Sequence, residues 1–224
     1  DPTAGMAGGR AGAPNRMQEI ATAMKARGVH EVQGEITFVS MDPRLDTTTY
    51  APGIPNVDIR ECYGSLATSF NFRSNCAGAR LNSKTGFQWE SSAIGSSVTT
   101  QVETSSGQKN SLRLEPILSP ERLFLGFRVD GTYVAKSPRV LQLRLPIGNA
   151  ASWYGQSLIA ALKAAHIQTA KTGMKFPQTP EERGLALRES ERHRGQEIVL
   201  ESAPLSSIVE ATNKPSDNFL ADSL

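Results

Sequence analysis

The stretch Leu123-Phe-Leu-Gly-Phe-Arg-Val129, Asp130-Gly131, Thr132-Tyr-Val-Ala135 decides the fold class. Two runs rich in branched and aromatic side chains, as strands favour, flank an Asp-Gly pair. Asp-Gly suits a two-residue type I′ turn, whose central residues both take positive φ. The stretch therefore reads as a β-hairpin. Working outward, similar short runs predict strands around Val32 to Phe38 and at Val57–Tyr63, Leu66–Phe72, Gly86–Trp89, Val98–Glu103, Ser111–Leu114 and Arg139–Leu145. Turn-forming segments such as Tyr50-Ala-Pro-Gly-Ile-Pro55 and Asn82-Ser-Lys-Thr-Gly86 separate them.

On the N-terminal side the pattern changes. Residues 1–14 contain Gly5, Gly8, Gly9, Gly12, Pro2 and Pro14, which disfavour any regular element. From Asn15, a fitting N-cap, Met17, Ile20, Ala21 and Met24 recur at helical spacing until Gly28 supplies a stop. A helix this short needs its apolar stripe docked, either on its own domain or on a neighbouring subunit. On the C-terminal side, Asn149 caps a second helix with Ala150, Trp153, Tyr154, Ser157, Leu158, Ala161, Leu162 and Ala165 on one face. Thr179-Pro-Glu-Glu182 joins an N-cap Thr, Pro at the first helical position and Glu at N3, a capping box for a third helix that runs to about Gly195. Glu197–Leu200 reads as a last strand, and no internal repeat is visible.

The expected architecture is α+β, mainly β. An antiparallel sandwich or jelly-roll-like body carries one short N-terminal helix and two C-terminal helices. Residues 1–28 form a basic arm, 29–212 one globular domain (β-rich at 29–145, helical at 149–195), and 213–224 a loose tail.

Of 224 residues, 38% are hydrophobic and 21% charged, the composition of an ordinary globular chain. The net charge of +2 lies wholly in residues 1–28, where Arg10, Arg16, Lys25 and Arg27 outnumber Asp1 and Glu19. A neutral remainder excludes a broad polyanion-binding face, because affinity for phosphates grows with the number neutralised. Those four basic residues can still give the arm weak, non-specific contact with nucleic acid. No apolar run approaches the roughly 20 residues of a membrane-spanning helix, and no signal peptide is expected. Cys62 and Cys76 read as free thiols in a reducing compartment, since two cysteines make no disulfide framework for a chain of this size.

Candidate chemistry is sparse. Cys62 and Cys76 are fourteen apart with no His beside either, so no metal is expected, and the absence of a phosphate-cradling glycine loop leaves no cofactor to expect. His30, His166 and His193 lack a nucleophile-elbow Ser. Gly155-Gln-Ser157 opening onto an Ala/Leu-rich helix, followed by Gly184-Leu185, His193-Arg-Gly195 and Val199-Leu200, resembles the C-terminal part of Lon-type and birnavirus-type Ser-Lys proteases. That resemblance implies Ser157 as nucleophile and a lysine as its base at the position held here by Ala186. It would make the chain a hydrolase with its lysine replaced. The Ser/Thr-rich run from Ser91 to Ser111 offers another reading, a peptide- or ligand-binding β module using an edge strand at Val98–Glu103. The leading expectation combines the basic arm, the β body and the loose ends. It is a non-enzymatic structural protein of the virion coat or matrix kind, which self-associates and resides in the cytoplasm or a virion.

Overall fold

The computed structural model describes residues 16–40, 49–71, 73–82, 86–90, 97–105, 111–134, 141–177, 179–193, 197–200, 204, 206–207 and 209–210. In chain order the elements are α1 (Arg16–Ala26), β1 (Gly34–Thr37), α2 (Asn56–Ile59), β2 (Cys76–Asn82), β3 (Gly86–Trp89), β4 (Ser97–Ser105), β5 (Ser111–Leu118), β6 (Phe124–Val134), β7 (Leu141–Pro146), α3 (Ala150–Ala164), β8 (Thr172–Lys175) and α4 (Pro180–Arg192). This is an α+β arrangement of helices and three small sheets, ordered β1-β8, β3-β2-β7 and β4-β6-β5.

The helices form where their caps predict. The Asn149 side chain accepts from the Ser152 amide at 2.9 Å and opens α3. Thr179 and Glu182 exchange both bonds of the capping box at 3.2 Å and open α4. Gly28, with φ of 79°, ends α1 in a Schellman motif: Gly28 N–H donates to Lys25 and Val29 N–H to Met24. His166, with φ of 60°, ends α3 in the same motif, its amide on Lys163 and that of Ile167 on Leu162. The strand that follows each helix is β1 in one case and β8 in the other, and these two pair in parallel.

Two apolar clusters hold the molecule. In the first, Met17 and Ala21 of α1 meet Trp153, Leu158 and Leu162 of α3, with Phe38 and Ile167 beneath them. The α1 stripe thus docks on its own domain. In the second, Ile59, Ala79, Phe124, Phe127 and Leu145 bring the two three-stranded sheets onto one core. Trp89 borders both clusters and joins them.

Several expectations give way here. The hairpin at Asp130-Gly131 is one continuous strand, β6, which pairs with β5 on one side and β4 on the other. Gly131 is there for close approach: its φ is 123° and a Cβ would run into the Ser111 carbonyl of β5. Leu118 pairs with Phe124 and Ile117 with Gly126, so Leu125 is an extra, exposed residue. That bulge lets Phe124 and Phe127, three apart, both face the core. The pairing is not all antiparallel: β3-β2-β7 is, but β1–β8 is parallel and β4-β6-β5 is mixed, with β4–β6 parallel. Residues 57–63 are helical in α2 and a 3-10 turn at Cys62–Gly64, where a strand was expected. Residues 66–71 and 197–200 are not strands either, whereas β2 and β8 are additional ones.

The free-thiol expectation is also corrected: Cys62 and Cys76 form a disulfide with Cα atoms 5.5 Å apart. Asn75 folds the intervening chain back. Fully buried and at φ of 46°, it donates through its side-chain amide to the Leu66 carbonyl at 2.8 Å and to Asn71 at 2.9 Å. Its own carbonyl accepts from Ile147 N–H, tying the disulfide-closed segment to the entrance of α3.

Candidate functional site

The residues singled out in the sequence do not come together as a catalytic set. Ser157 is half-buried on α3, whose helical partner is α1. Ala186 lies on α4, a helix that buries no residue. Among the described residues Ser157 makes no hydrogen bond to a base. His30 and His166 are exposed, and His193 caps α4 with its Nε2 3.5 Å from Glu189. No group of three or more His, Cys, Asp or Glu that could hold a metal ion occurs among the described residues.

Two basic side chains of the N-terminal segment, Arg16 and Lys25, have structural work. Arg16 pairs with Glu19 at 2.6 Å, and the Lys25 ammonium donates to the Ala165 carbonyl at 2.6 Å, neutralising the C-terminal end of α3. The Arg27 amide closes the last turn of α1. Arg10 lies outside the described residues.

Two other side-chain groupings stand out. On the outer face of β5 and β6, Arg128 bridges Glu115 and Asp130 while Arg113 adds a second bond to Glu115. The Glu115 hydrogen bond and the two carboxylates hold Arg128 above its usual range. Beneath α3, Phe38 stacks on Phe176 with centroids 5.0 Å apart, and Phe70 and Tyr154 meet Phe38 edge-on at 6.0 and 6.1 Å. Burial pushes the Tyr154 phenol up. These groupings brace the scaffold and contain no nucleophile beside a base.

The fold resembles that of solved penicillin-binding structures. Penicillin binding protein 4 from Haemophilus influenzae matches at a TM-score of 0.60 and 19% identity, over 93% of this chain and 43% of that one. The same protein complexed with a novel β-lactam matches at 0.57 and 18%, over 93% and 41%. This chain therefore spans less than half the length of either. No curated protein matches it.

A string that the residue-by-residue reading missed is Ser216-Asp-Asn218. Ser-x-x-Lys, Ser-Asp-Asn and Lys-Thr-Gly together mark the serine peptidases of the penicillin-binding kind. Ser-x-x-Lys occurs here as Ser106-Gly-Gln-Lys109, and Lys-Thr-Gly as Lys84-Thr-Gly86 and Lys171-Thr-Gly173. Residues 83–85, 106–110 and 211–224 lie outside the described residues. Lys171-Thr-Gly173 runs into β8, where the Thr172 hydroxyl is committed to the Val32 carbonyl at 2.7 Å.

The family model for D-Ala-D-Ala carboxypeptidase 3 (S13) matches residues 6–224, almost the whole chain. This match overturns the virion-coat reading, with its self-assembly and RNA binding, and replaces the Lon-type and birnavirus-type resemblance. By that match the chain belongs to the D-Ala-D-Ala carboxypeptidase 3 (S13) family.

Proposed function

We propose that this chain is part of a serine carboxypeptidase that removes the terminal residue from peptides ending in D-Ala-D-Ala. The observation that carries the reading is Ser216-Asp-Asn218 inside a chain matched by that family over residues 6–224. In this reaction a serine attacks the penultimate carbonyl, D-Ala leaves as an amine, and water then hydrolyses the acyl-enzyme. Ser216 has the chemistry to pass a proton toward the leaving amine, because a hydroxyl both donates and accepts. The Asn218 amide suits orientation of a peptide backbone, offering one acceptor and two donors.

The nucleophile in this reading is not Ser106. Ser and Lys three residues apart act together on one face of a helix, and Ser106-Gly-Gln-Lys109 carries Gly107, a poor helix former, between them. The nucleophile then comes from a part of the protein beyond these 224 residues, consistent with solved neighbours more than twice as long. The two three-stranded sheets sharing one core read as a small sandwich that supports the catalytic part. The Cys62–Cys76 disulfide favours an oxidising compartment, in place of the reducing one suggested by the cysteine count.

The test uses the natural full-length protein, a fluorescent penicillin as covalent probe, and D-Ala release from an acyl-D-Ala-D-Ala peptide. Ser216→Ala should lower kcat/KM by roughly 10²- to 10⁴-fold, the range for a lost proton-transfer group. Ser106→Ala should leave it unchanged. An unlabelled natural protein, or a fully active Ser216→Ala variant, would refute the assignment.

A further inference from the structure

Residues 29–224 are neutral as a whole, but their charge is unevenly spread. Residues 76–90 and 135–146, which include all three strands of the β3-β2-β7 sheet, hold Arg80, Lys84, Lys136, Arg139 and Arg144 against Glu90 alone. Five bases against one acid leave a net +4 there.

The two arginines within the strands share one face. Ala79 of β2, Phe87 and Trp89 of β3, and Leu143 and Leu145 of β7 pack into the core. Side chains alternate along a strand, so Arg80, Gln88, Glu90, Gln142 and Arg144 take the opposite face, and all five are exposed. The register sets Arg80 between Gln88 and Gln142, and Gly78 beside Arg144. Arg80 and Arg144 are therefore diagonal neighbours on adjacent strands, with Cβ atoms about 7 Å apart. Gly78 keeps the centre of the face flat: the Glu90 carboxylate lies across it, where a Cβ would collide.

Arg113 and Arg128, on the outer face of β5 and β6, are held by Glu115 and Asp130. Among the described residues Arg80 and Arg144 have no such partner, and residues 83–85, 91–96 and 135–140, which flank these strands, contain no Asp or Glu.

We propose that this face is an interaction surface for an extended acidic peptide segment of a partner protein, with carboxylates at alternate positions. In an extended peptide, side chains two residues apart share a side and stand about 6.6–6.8 Å apart, which matches the Arg80–Arg144 diagonal. A guanidinium presents a planar fork of donors that fits a carboxylate with two parallel hydrogen bonds. Gln88 and Gln142 offer both donors and acceptors, as a peptide backbone requires. Glu90 distinguishes this occupant from a continuous polyanion: its carboxylate accepts from a peptide N–H, whereas it repels an unbroken row of phosphates. The surface does not rest on the carboxypeptidase reading.

Fluorescence anisotropy on the natural full-length protein tests this, with three labelled peptides: four Glu-Gly repeats, four Gln-Gly repeats, and a block of four Glu followed by four Gly. The alternating Glu peptide should bind at least about 3-fold more tightly than the block, which carries the same charge in the wrong register, and the Gln peptide should bind least. Arg80→Gln/Arg144→Gln should weaken the alternating peptide about 3- to 30-fold, the range two solvent-exposed charge pairs supply. Arg80→Lys/Arg144→Lys keeps the charge without the fork and should fall between the two. Arg113→Gln/Arg128→Gln, on the other sheet, should leave binding unchanged. Melting curves check that each variant is folded. No binding by the native protein, equal binding of the alternating and block peptides, or undiminished binding by folded Arg80→Gln/Arg144→Gln would overturn the proposal. So would single-stranded RNA that binds more tightly than the alternating peptide and loses its binding in that variant, since the surface would then serve a polyanion.

Discussion

Opening the Cys62–Cys76 bond is the perturbation whose cost can be worked furthest. The two cysteines are separated by 14 positions. Closing a loop of about 15 residues removes chain entropy from the unfolded state worth about 3 kcal/mol at 25 °C. Among its described residues the enclosed segment has no strand or α-helix, and its other ties are 3-10 turns, the Asn75 hydrogen bonds and the packing of Leu66 and Phe70, none of which closes the loop covalently. For a chain of this size each kcal/mol moves the midpoint by roughly 2–4 °C, so the loss corresponds to about 6–12 °C in Tm. The assay is calorimetric melting of the native protein with and without a reductant, with thiols counted in parallel. A Cys62→Ser/Cys76→Ala double variant provides the comparison. It should melt at or slightly below the reduced native protein, because Cys76 is buried and its sulfur packs in the core. The sites of early loosening should be Tyr50, Ile59 and the entrance of α3, which the Asn75 carbonyl ties down. Two reactive thiols in the unreduced native protein would refute the reasoning. An unchanged Tm after verified opening of the bond would do so equally.

Gly131→Asn discriminates between the hairpin reading and the continuous strand: a type I′ turn accepts Asn, whereas the close approach to Ser111 does not. Urea denaturation should show a loss of about 2–4 kcal/mol from clash and backbone strain, and a loss below about 0.5 kcal/mol would favour the turn. His166→Gly should raise stability by about 0.5–1 kcal/mol in the same assay, because an exposed residue at φ of 60° is relieved at the α3 C-terminus; a decrease would contradict this. Burial raises the Tyr50 phenol well above its ordinary value of 10.0, so the folded state keeps a proton that the unfolded chain releases. Stability should therefore be full below pH 10 and fall above it, by up to about 1.4 kcal/mol per pH unit for this group. Tyr154 acts in the same direction. Urea melts between pH 9 and 11 should show a shallower fall for Tyr50→Phe, and an identical slope would exclude Tyr50 as a source.

The features legible in the sequence were those whose cause is local. Gly28, Asn149 and the Thr179 box act within one helical turn, so their meaning travels with the residues, and the helices they bound are present. Asp130-Gly131 misleads because glycine inside a β-prone run serves either a tight turn or a close backbone approach. Only the neighbour at Ser111, twenty positions away, decides between them. The disulfide is illegible for a similar reason, since its closure depends on Asn75 reversing the chain. Ser216-Asp-Asn218 is different. It is local and readable, but three residues gain chemical meaning only beside a nucleophile and a base.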